Sequence, residues 1–543
     1  MGSVAIPQAM AFAMVAGLAP VVGLYAASVP IIAYALFGSS RQLVVGPVAV
    51  VSFLVLDALK SFDSGSPDRL LAAAVLALLV GSVYLVAGLA RLGGVANLLA
   101  APVLVGFVFA VVLIVGVGQV GDLIGVSVSP HDTFLETLVA TALAIPDMHS
   151  LTAYVGVAAI IALVVMGRIA PRWPGVVTVA VSATVVANVY GFADRGVASV
   201  GEVPAGVPVA KIPSTTIEMV SELMPAALVI ALVGFAQSVA IGKIYSSKNG
   251  YRLIPNRELM GLGAANIASG LFGGYPVSGS LSRTVANDAV GASSRAAGVV
   301  ASLTVSIGLM SFVPGLADLP RVVLSAIVIV TVLGLVDIKA MAVIARAKRS
   351  DATVLLTSLF ATLTFGAQWG LVAGVAWSLV ATVIRIYRAG LAARMAAAIG
   401  SAIHPEPGSG SGLGPSSSDG TMPVIPASVG LVRAPFTLCF LTVPLTRNRI
   451  RSSVGRLDPN GDGRQIVLNM SSTIDIDITG TKMLESVSAE LNDNGVELHL
   501  VGVAPGVASV LRHGDLFTTP RCRVHRSVEE AMGILHSSGR LSA

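Results

Sequence analysis

Two stretches of the chain set helix-starting residues, glycines and polar side chains inside apolar surroundings, where lipid would otherwise penalise them. The first is Val45-Gly46-Pro47-Val48-Ala49-Val50-Val51-Ser52, in which Pro47 suits the first turn of a helix. The second is Gly273-Gly274-Tyr275-Pro276-Val277-Ser278-Gly279-Ser280-Leu281-Ser282-Arg283-Thr284. Short helices that begin within a membrane point unsatisfied backbone amides at a ligand, and those amides carry partial positive charge that suits an anion. Glycine also serves ordinary close helix packing, which accounts for most glycines of such a chain. Arg283 sets the second stretch apart: an arginine near the membrane centre costs about 2.5–3.5 kcal/mol and must face a polar cavity or a partner. The chemistry on offer is anion binding by backbone amides and one guanidinium. No nucleophile elbow, phosphate loop or carboxylate pair points to an enzyme, and no cofactor or metal is called for.

The elements that would hold these stretches are membrane helices. Hydrophobic residues make up 55% of the 543 and charged residues 12%, with a mean hydropathy of +0.85, outside the range of water-soluble globular chains. Uncharged runs long enough to span lipid, roughly 20 residues, recur at 1–40, 70–90, 92–121, 173–193, 223–242, 259–282, 296–317 and 352–384. Turns at Gly17 to Pro20 and Gly366 to Gly370 divide two of them, and the runs near 42–56 and 276–290 are short or broken. About twelve full spans and two short ones are expected. With the loop near Pro20 outside, the inner ends collect most of the Lys and Arg, and the outer ends hold only Lys60, Arg69, Arg195, Lys211 and Arg321. That asymmetry is the positive-inside pattern. It also accounts for the net charge of +5 without nucleic acid, for which no basic motif or aromatic platform is present. Met1 to Ala16 lacks a basic start and a cleavage site, so it reads as a membrane segment and not a signal peptide.

The end of the chain is a different phase. Residues 1–400 hold 38 charged side chains, whereas the 116 residues from Ser428 hold 23. Residues 404–426 are rich in Gly, Ser and Pro and read as a hydrated linker. Beyond it the pattern is soluble α/β: a buried strand at Gln465 to Met470, a helix at Thr479 to Asn494, a strand at Glu497 to Val501 and a Ser-capped helix at Ser527 to Leu535. Ser471, Ser472 and Thr473 are expected to cap the helix that follows. Asp458 to Gly463 resembles the start of a calcium loop, but the twelfth position is Asn469 and a plain turn is expected. The seven histidines show no metal-ligand spacing. Cys439 and Cys522 imply no disulfide framework and suit a reducing cytosol.

Several motifs together resemble the sulfate permease (SulP) family of anion transporters: Ile6-Pro7-Gln8-Ala9-Met10-Ala11-Phe12-Ala13, Ala16-Gly17-Leu18-Ala19-Pro20, Gly23-Leu24-Tyr25, Phe37-Gly38-Ser39-Ser40-Arg41 and Val45-Gly46-Pro47. Asn256-Arg257-Glu258-Leu259, Gly270-Leu271-Phe272-Gly273-Gly274 and Ser280-Leu281-Ser282-Arg283 continue the likeness, and Thr473 to Gly480 resembles the STAS domain such transporters carry. The resemblance implies an α-helical polytopic fold of about fourteen segments in two inverted repeats of seven, with core and gate (scaffold) subdomains, and a C-terminal α/β STAS domain. The expected boundaries are 1–395 for the transporter, 396–427 for the linker and 428–543 for the STAS domain. The resemblance also implies an anion site lined by Gln8, Phe12, Pro47, Val48, Ala49, Gln237, Ser280, Leu281, Ser282 and Arg283. A homodimer in the cell membrane, alternating access and a cytoplasmic STAS domain with protein partners of its own follow from the same likeness. Candidate substrates are sulfate, bicarbonate or chloride; backbone amides and a guanidinium accept any of them.

Two departures stand out. Only six residues precede the Pro7-Gln8 pair, which suggests a misplaced start or a truncation. Gln237 stands where many bacterial relatives carry a carboxylate, and an amide takes up no proton at physiological pH, so strong proton or sodium coupling there is not expected. Rival readings are a membrane-anchored sensor or scaffold for the STAS domain, and a nucleobase transporter of the same fold, whose members lack the STAS tail and an arginine like Arg283.

Overall fold

The computed structural model describes residues 2–403 and 428–531, apart from short segments at 64, 95–99, 127, 129–132, 171–172, 202–205, 207, 312–316, 440–441, 458–463, 513–515, 517–521 and 529. The expected calcium-like turn and most of the expected linker lie outside the described residues.

The chain divides into two units. The first comprises Met1–Leu99, Leu104–Asp337 and Thr357–Gly374; the second comprises Ala100–Val103, Ile338–Leu356 and Val375–Ala543. The helical part opens with α1 (Gly2–Val15), α2 (Pro20–Ala27) and α3 (Val29–Phe37), then β1 (Val44–Gly46) and α4 (Ala49–Ala58). It continues with α5 (Pro67–Leu89), α6 (Ala101–Gly118), α7 (Val120–Ile124), α8 (Phe134–Ala144), α9 (Ser150–Ile169) and α10 (Gly175–Tyr190). Next come α11 (Ile217–Lys248), α12 (Pro255–Leu271), β2 (Ser278–Ser280), α13 (Leu281–Ala289), α14 (Ala296–Ser311) and α15 (Arg321–Leu333), then α16 (Ile338–Ala347), α17 (Arg349–Phe365) and α18 (Ala367–Ile403). Among the described residues, seven helical stretches are long and apolar enough to cross a membrane: Pro20–Phe37, Pro67–Leu89, Ala101–Ile124, Ser150–Ile169, Ile217–Lys248, Arg321–Arg346 and Ala367–Arg385. Four more, Gly2–Val15, Ala49–Ala58, Gly175–Tyr190 and Ala296–Ser311, are apolar but shorter. This is a multi-pass membrane protein.

Local chemistry fixes the helix starts. Ser66 accepts the amide of Arg69 at the start of α5, Thr133 and Glu136 form a reciprocal capping box on α8, and Thr216 accepts the amide of Met219 on α11. Within the first unit α5 packs along α12. A side chain at Gly81 would place its Cβ 2.8 Å from the Ile267 nitrogen, so the absence of a Cβ permits this close approach of two helices.

A buried carboxylate ties α12 to α3. Glu258, fully enclosed in the first turn of α12, accepts four hydrogen bonds: from the backbone of Ser39 (2.8 Å) and Ser40 (2.9 Å), the Ser39 hydroxyl (2.5 Å) and the Tyr34 hydroxyl (2.6 Å). Buried charge is tolerable when its lone pairs are filled in this way.

The α/β part of the second unit is built on a parallel four-stranded sheet of β3 (Val429–Arg433), β5 (Gln465–Asn469), β7 (Glu497–Val501) and β8 (Cys522–His525), in the spatial order β3-β5-β7-β8. A smaller parallel pair joins β4 (Thr437–Leu438) to β6 (Asp475–Ile476). The helices are α19 (Val443–Val454), α20 (Ile478–Asp493) and α21 (Pro505–Leu511). Alternation along the strands sends Ile466, Leu468, Leu498 and Leu500 into a core with Leu484, Val487 and Leu491 of α20, and sends Val429, Val467 and Val501 to the other face with Ala531. The expected strands and the long helix stand where the pattern placed them, within one residue at each end.

The capping expectation for Ser471, Ser472 and Thr473 is corrected. Asp477 caps α20, its carboxylate accepting the Gly480 amide at 2.7 Å, because β6 intervenes between those three residues and the helix. Their hydroxyls turn instead to Asn469, Ala434 and Pro435. Ser527 does accept the Glu530 amide, at 3.1 Å. The last helix of the membrane part, α18, runs to Ile403, so the expected linker begins inside a helix. Two histidines far apart in sequence also meet: His499 and His525 stack with ring centroids 5.1 Å apart and share an Nδ1···Nε2 hydrogen bond of 2.9 Å.

Candidate functional site

The two stretches singled out by residue type come together as a two-stranded antiparallel ribbon. Val44 pairs with Ser280, Val45 with Gly279 and Gly46 with Ser278. Helix α4 leaves one end of this ribbon and α13 leaves the other, so both N-termini adjoin strands only about 10 Å long. The polar backbone of the ribbon is satisfied internally, as membrane depth requires. Asn266 of α12 serves as a substitute strand partner: its side chain accepts the Val277 amide (2.9 Å) and donates to the Val277 carbonyl (3.0 Å). Ser238 of α11 accepts the Gly279 amide (2.9 Å), and Thr284 accepts the Val44 amide (3.2 Å). Ser278 donates to the Gly234 carbonyl at 2.9 Å, and Asn287 donates to the Gln42 carbonyl at 3.0 Å. Ser52 and Tyr275 share a hydroxyl–hydroxyl hydrogen bond of 2.9 Å.

Arg283 sits in the first turn of α13 with 1% of its surface exposed. Its Nη2 donates to the carbonyl of Pro47, which lies just ahead of α4. This one contact ties the approach to one short helix to the first turn of the other. The guanidinium lies so close to Gly46 that a Cβ there would stand 2.9 Å from Nη1 and 3.1 Å from Nη2, so Gly46 clears the space the arginine occupies. Nε and Nη1 of Arg283 are buried with no hydrogen-bond partner in the protein. An arginine buried with two donors unspent is costly unless a ligand accepts from them.

The other expected residues are distributed around this pair. Gln8 and Phe12, both buried, lie on α1, which packs against α4. Val48 is the extended residue before α4 and Ala49 its first residue; both are buried, and no side chain caps this helix. The amides of the first turn of α4 are therefore available to an acceptor other than a side-chain cap. Ser280 caps α13, its hydroxyl accepting the Arg283 amide at 3.4 Å. Gln237 precedes Ser238 on α11, and its Oε1, like that of Gln8, is buried without a partner. Leu281 and Ser282 are exposed; Ser282 comes within 3.4 Å of the Ser280 hydroxyl. One expectation is corrected: Pro47 is not inside the first turn of α4. It lies two residues before that helix, in the turn out of β1, and contributes a carbonyl and not a helix start.

Sequence reasoning gave Ser52, Tyr275 and Ser278 no role of their own, although they lie within the two stretches, and it passed over Ser238 and Asn266. The signal that could have found Asn266 is its polar side chain, with that of Ser269, inside an otherwise apolar run just ahead of the second stretch.

Comparison with known proteins supplies the context. Residues 1–358 match the model of the sulfate permease family, and residues 422–531 match that of the STAS domain. A probable sulfate transporter of Mycobacterium tuberculosis is 33% identical over 94% of this chain and 89% of its own length. Among solved structures, the murine anion transporter solute carrier 26 family member A9, in an inward-facing state, superposes with a TM-score of 0.67 at 23% identity, over 99% of this chain and 90% of that one. The transmembrane domain of a cyanobacterial bicarbonate transporter superposes with a TM-score of 0.60 at 21% identity, over 70% of this chain and 94% of that domain.

Proposed function

Because this chain belongs to the sulfate permease family and is a membrane transporter of anions, we propose that it carries small inorganic anions of the sulfate or bicarbonate class by alternating access, with the anion held between the N-terminal ends of α4 and α13. The observation that carries this reading is Arg283, buried with Nε and Nη1 unspent beside the ribbon that joins the two helices. The anion accepts from these donors and from the first-turn amides of α4, whose helix dipole adds to the attraction. Gln8, Phe12, Pro47, Val48, Ala49, Gln237, Ser280, Leu281 and Ser282 complete the lining. No covalent step is involved, which fits a family of transporters and points away from an enzyme. Gln237 offers no carboxylate, so transport runs without strong sodium or proton coupling, as in an exchanger. The protein works as a homodimer in the cell membrane with the STAS domain on the cytoplasmic side, where partner proteins reach it.

The test is uptake of labelled sulfate, bicarbonate and chloride into proteoliposomes. Changing Arg283 to Gln removes charge-assisted hydrogen bonds worth about 1.5–3 kcal/mol each, so half-saturation should rise about tenfold or more. The variant should still insert, because removing a charge eases insertion. Sulfate should raise the melting temperature of the wild type and leave that of the variant unmoved. Changing Ser282 to Ala removes one neutral hydroxyl, worth about 0.5–1.5 kcal/mol, and should do less. Unchanged affinity in the Arg283 variant would place the anion elsewhere. Competition by a purine or pyrimidine would favour a nucleobase transporter, and no uptake of any anion would favour a membrane-anchored sensor.

A further inference from the structure

Within the second unit, the start of α20 is buried against the first turn of α17 and the middle of α18. The first amides of a helix have no partner of their own, and the capping carboxylate reaches only the second or third. Asp477 fills this role for Gly480, which leaves the amide of Ile478 orphaned. Asp351, in the first turn of α17 and 127 residues earlier, accepts it at 3.2 Å through Oδ2. The other oxygen of Asp351 receives Nη1 of Arg385 from α18 at 3.1 Å. Nη2 of Arg385 lies 3.8 Å from Asp477 and donates to Thr382 at 3.1 Å. The side chains of Asp351 and Asp477 are 3% exposed and that of Arg385 10%. Alongside, Lys348 pairs with Asp475 and lies 3.4 Å from the carbonyl of Ile476.

The charges balance only when these parts are together. Two carboxylates share one guanidinium, and the remaining negative charge rests on the positive end of the α20 dipole. A buried ion pair is poor as a source of stability but specific about geometry, and breaking one leaves an uncompensated charge. The cap of α20 is therefore completed by residues outside the α/β domain.

We infer that Asp351, Arg385 and the N-terminus of α20 form a latch that docks the STAS domain onto the start of α17 and the middle of α18, and that these parts move as one body through the transport cycle. The inference stands apart from the placement of the anion, because its readouts do not depend on Arg283.

The experiment uses the full chain in nanodiscs and proteoliposomes. In Asp351→Ala and Arg385→Ala, the amides of the first turn of α20 should exchange hydrogen about tenfold faster or more, as expected when a local opening becomes easier. Protection across β5 and β7 should hold. The maximal transport rate should fall several-fold with half-saturation unchanged, and Arg385→Lys should recover part of it. A second arm replaces Lys348 and Asp475 by cysteine in a chain whose Cys439 and Cys522 are changed to serine. Joining the new pair with a short bismaleimide should leave the rate within about twofold, since parts that move together lose nothing by being tied. Unchanged exchange at Ile478, an unchanged rate in both alanine variants, or loss of transport on cross-linking would each overturn the inference. If the alanine variants fail to insert, the cross-link alone decides.

Discussion

At the scale of single residues, charge in the wrong solvent is the most readable signal. Arg283 stood out because the run from Leu259 to Ser282 is uncharged, and the structure places it where the two short helices meet. Ser238 and Asn266 gave no such signal, although they hold the ribbon together. Ser238 donates to the Gly234 carbonyl at 2.7 Å and Asn266 to the Leu262 carbonyl at 2.9 Å, contacts to the preceding turn that any Ser or Asn in a membrane helix could make. Residue type does not reveal that the same side chains also serve a strand 11 to 41 positions away. Gln237, their neighbour, carries a prediction of its own. An amide oxygen ligates a cation weakly and cannot be protonated at physiological pH, so anion uptake should be nearly the same with and without a sodium gradient. A rise of about tenfold, worth 1.4 kcal/mol, would contradict this. In Gln237→Glu the outcome turns on burial: a carboxylate with no cation beside it rises in pKa, and sodium dependence appears only if the ion can pay for its charge.

At the scale of elements, continuous helices and the α/β strands were legible because their periodicity is local. The ribbon of β1 and β2 was not, since three-residue strands have no periodicity and their register depends on pairing Val44 with Ser280 across most of the first unit. Pro47 was misplaced for the same reason: the rule for prolines at helix starts knows nothing of a strand that must end first. The tie between α3 and α12 shows how two motifs recognised only by likeness acquire a physical cause. Glu258 gathers four donors from Tyr34, Ser39 and Ser40. Glu258→Ala should leave several buried donors unsatisfied at about 1–3 kcal/mol each and destabilise the protein more than Tyr34→Phe, which removes one hydrogen bond to a charged group and should cost about 1.5–3 kcal/mol. Melting in detergent ranks the two variants, and equal effects would show that the carboxylate is not the hub.

The pairing of β7 with β8 makes a different test, of pH. Burial holds the His525 imidazole below its ordinary range; Glu530 opposes this and Arg523 adds to it. His499, stacked on it, and Glu497, 3.6 Å from His499, complete the titratable surroundings. With its pKa lowered in the folded state, His525 is protonated first in the unfolded chain. Stability contributed by the neutral ring is full above about pH 6.5, is lost as pH falls toward the folded value, and loses nothing more below it. Hydrogen exchange across Cys522–His525, corrected for its intrinsic pH dependence, should show protection falling as the pH is lowered below about 6.5. His525→Gln, which keeps hydrogen-bonding capacity without titrating in this range, should flatten the profile.

At the scale of the whole molecule, two phases were plain from composition, because lipid and water select different residues. The number of spans was less plain: counting apolar runs suggests about fourteen segments, whereas among the described residues seven stretches meet the length and hydropathy of a full crossing and four more are short. A run bent at Ser28 or interrupted at Gly46 has the composition of a span without its continuity. The second phase leads to the last prediction. From Ser428 the chain supplies a four-stranded sheet with apolar side chains on both faces, the pattern of a domain that folds by itself. Expressed alone, it should show cooperative unfolding by circular dichroism, with α20 frayed at its start, because Asp351 no longer completes the cap and a missing cap costs about 1 kcal/mol. The reciprocal piece, ended at Ile403, should still insert, since Glu258, the ribbon and the α5–α12 packing all lie within the first unit. It would retain the Asp351–Arg385 pair, 3.1 Å apart, without the Ile478 amide and Asp477. The truncated transporter should therefore bind sulfate with near-native affinity, read as the same thermal shift, while its transport rate falls. If affinity and rate fell together, the STAS domain would have to shape the anion site itself; if neither changed, the domain would be a passenger on the transporter.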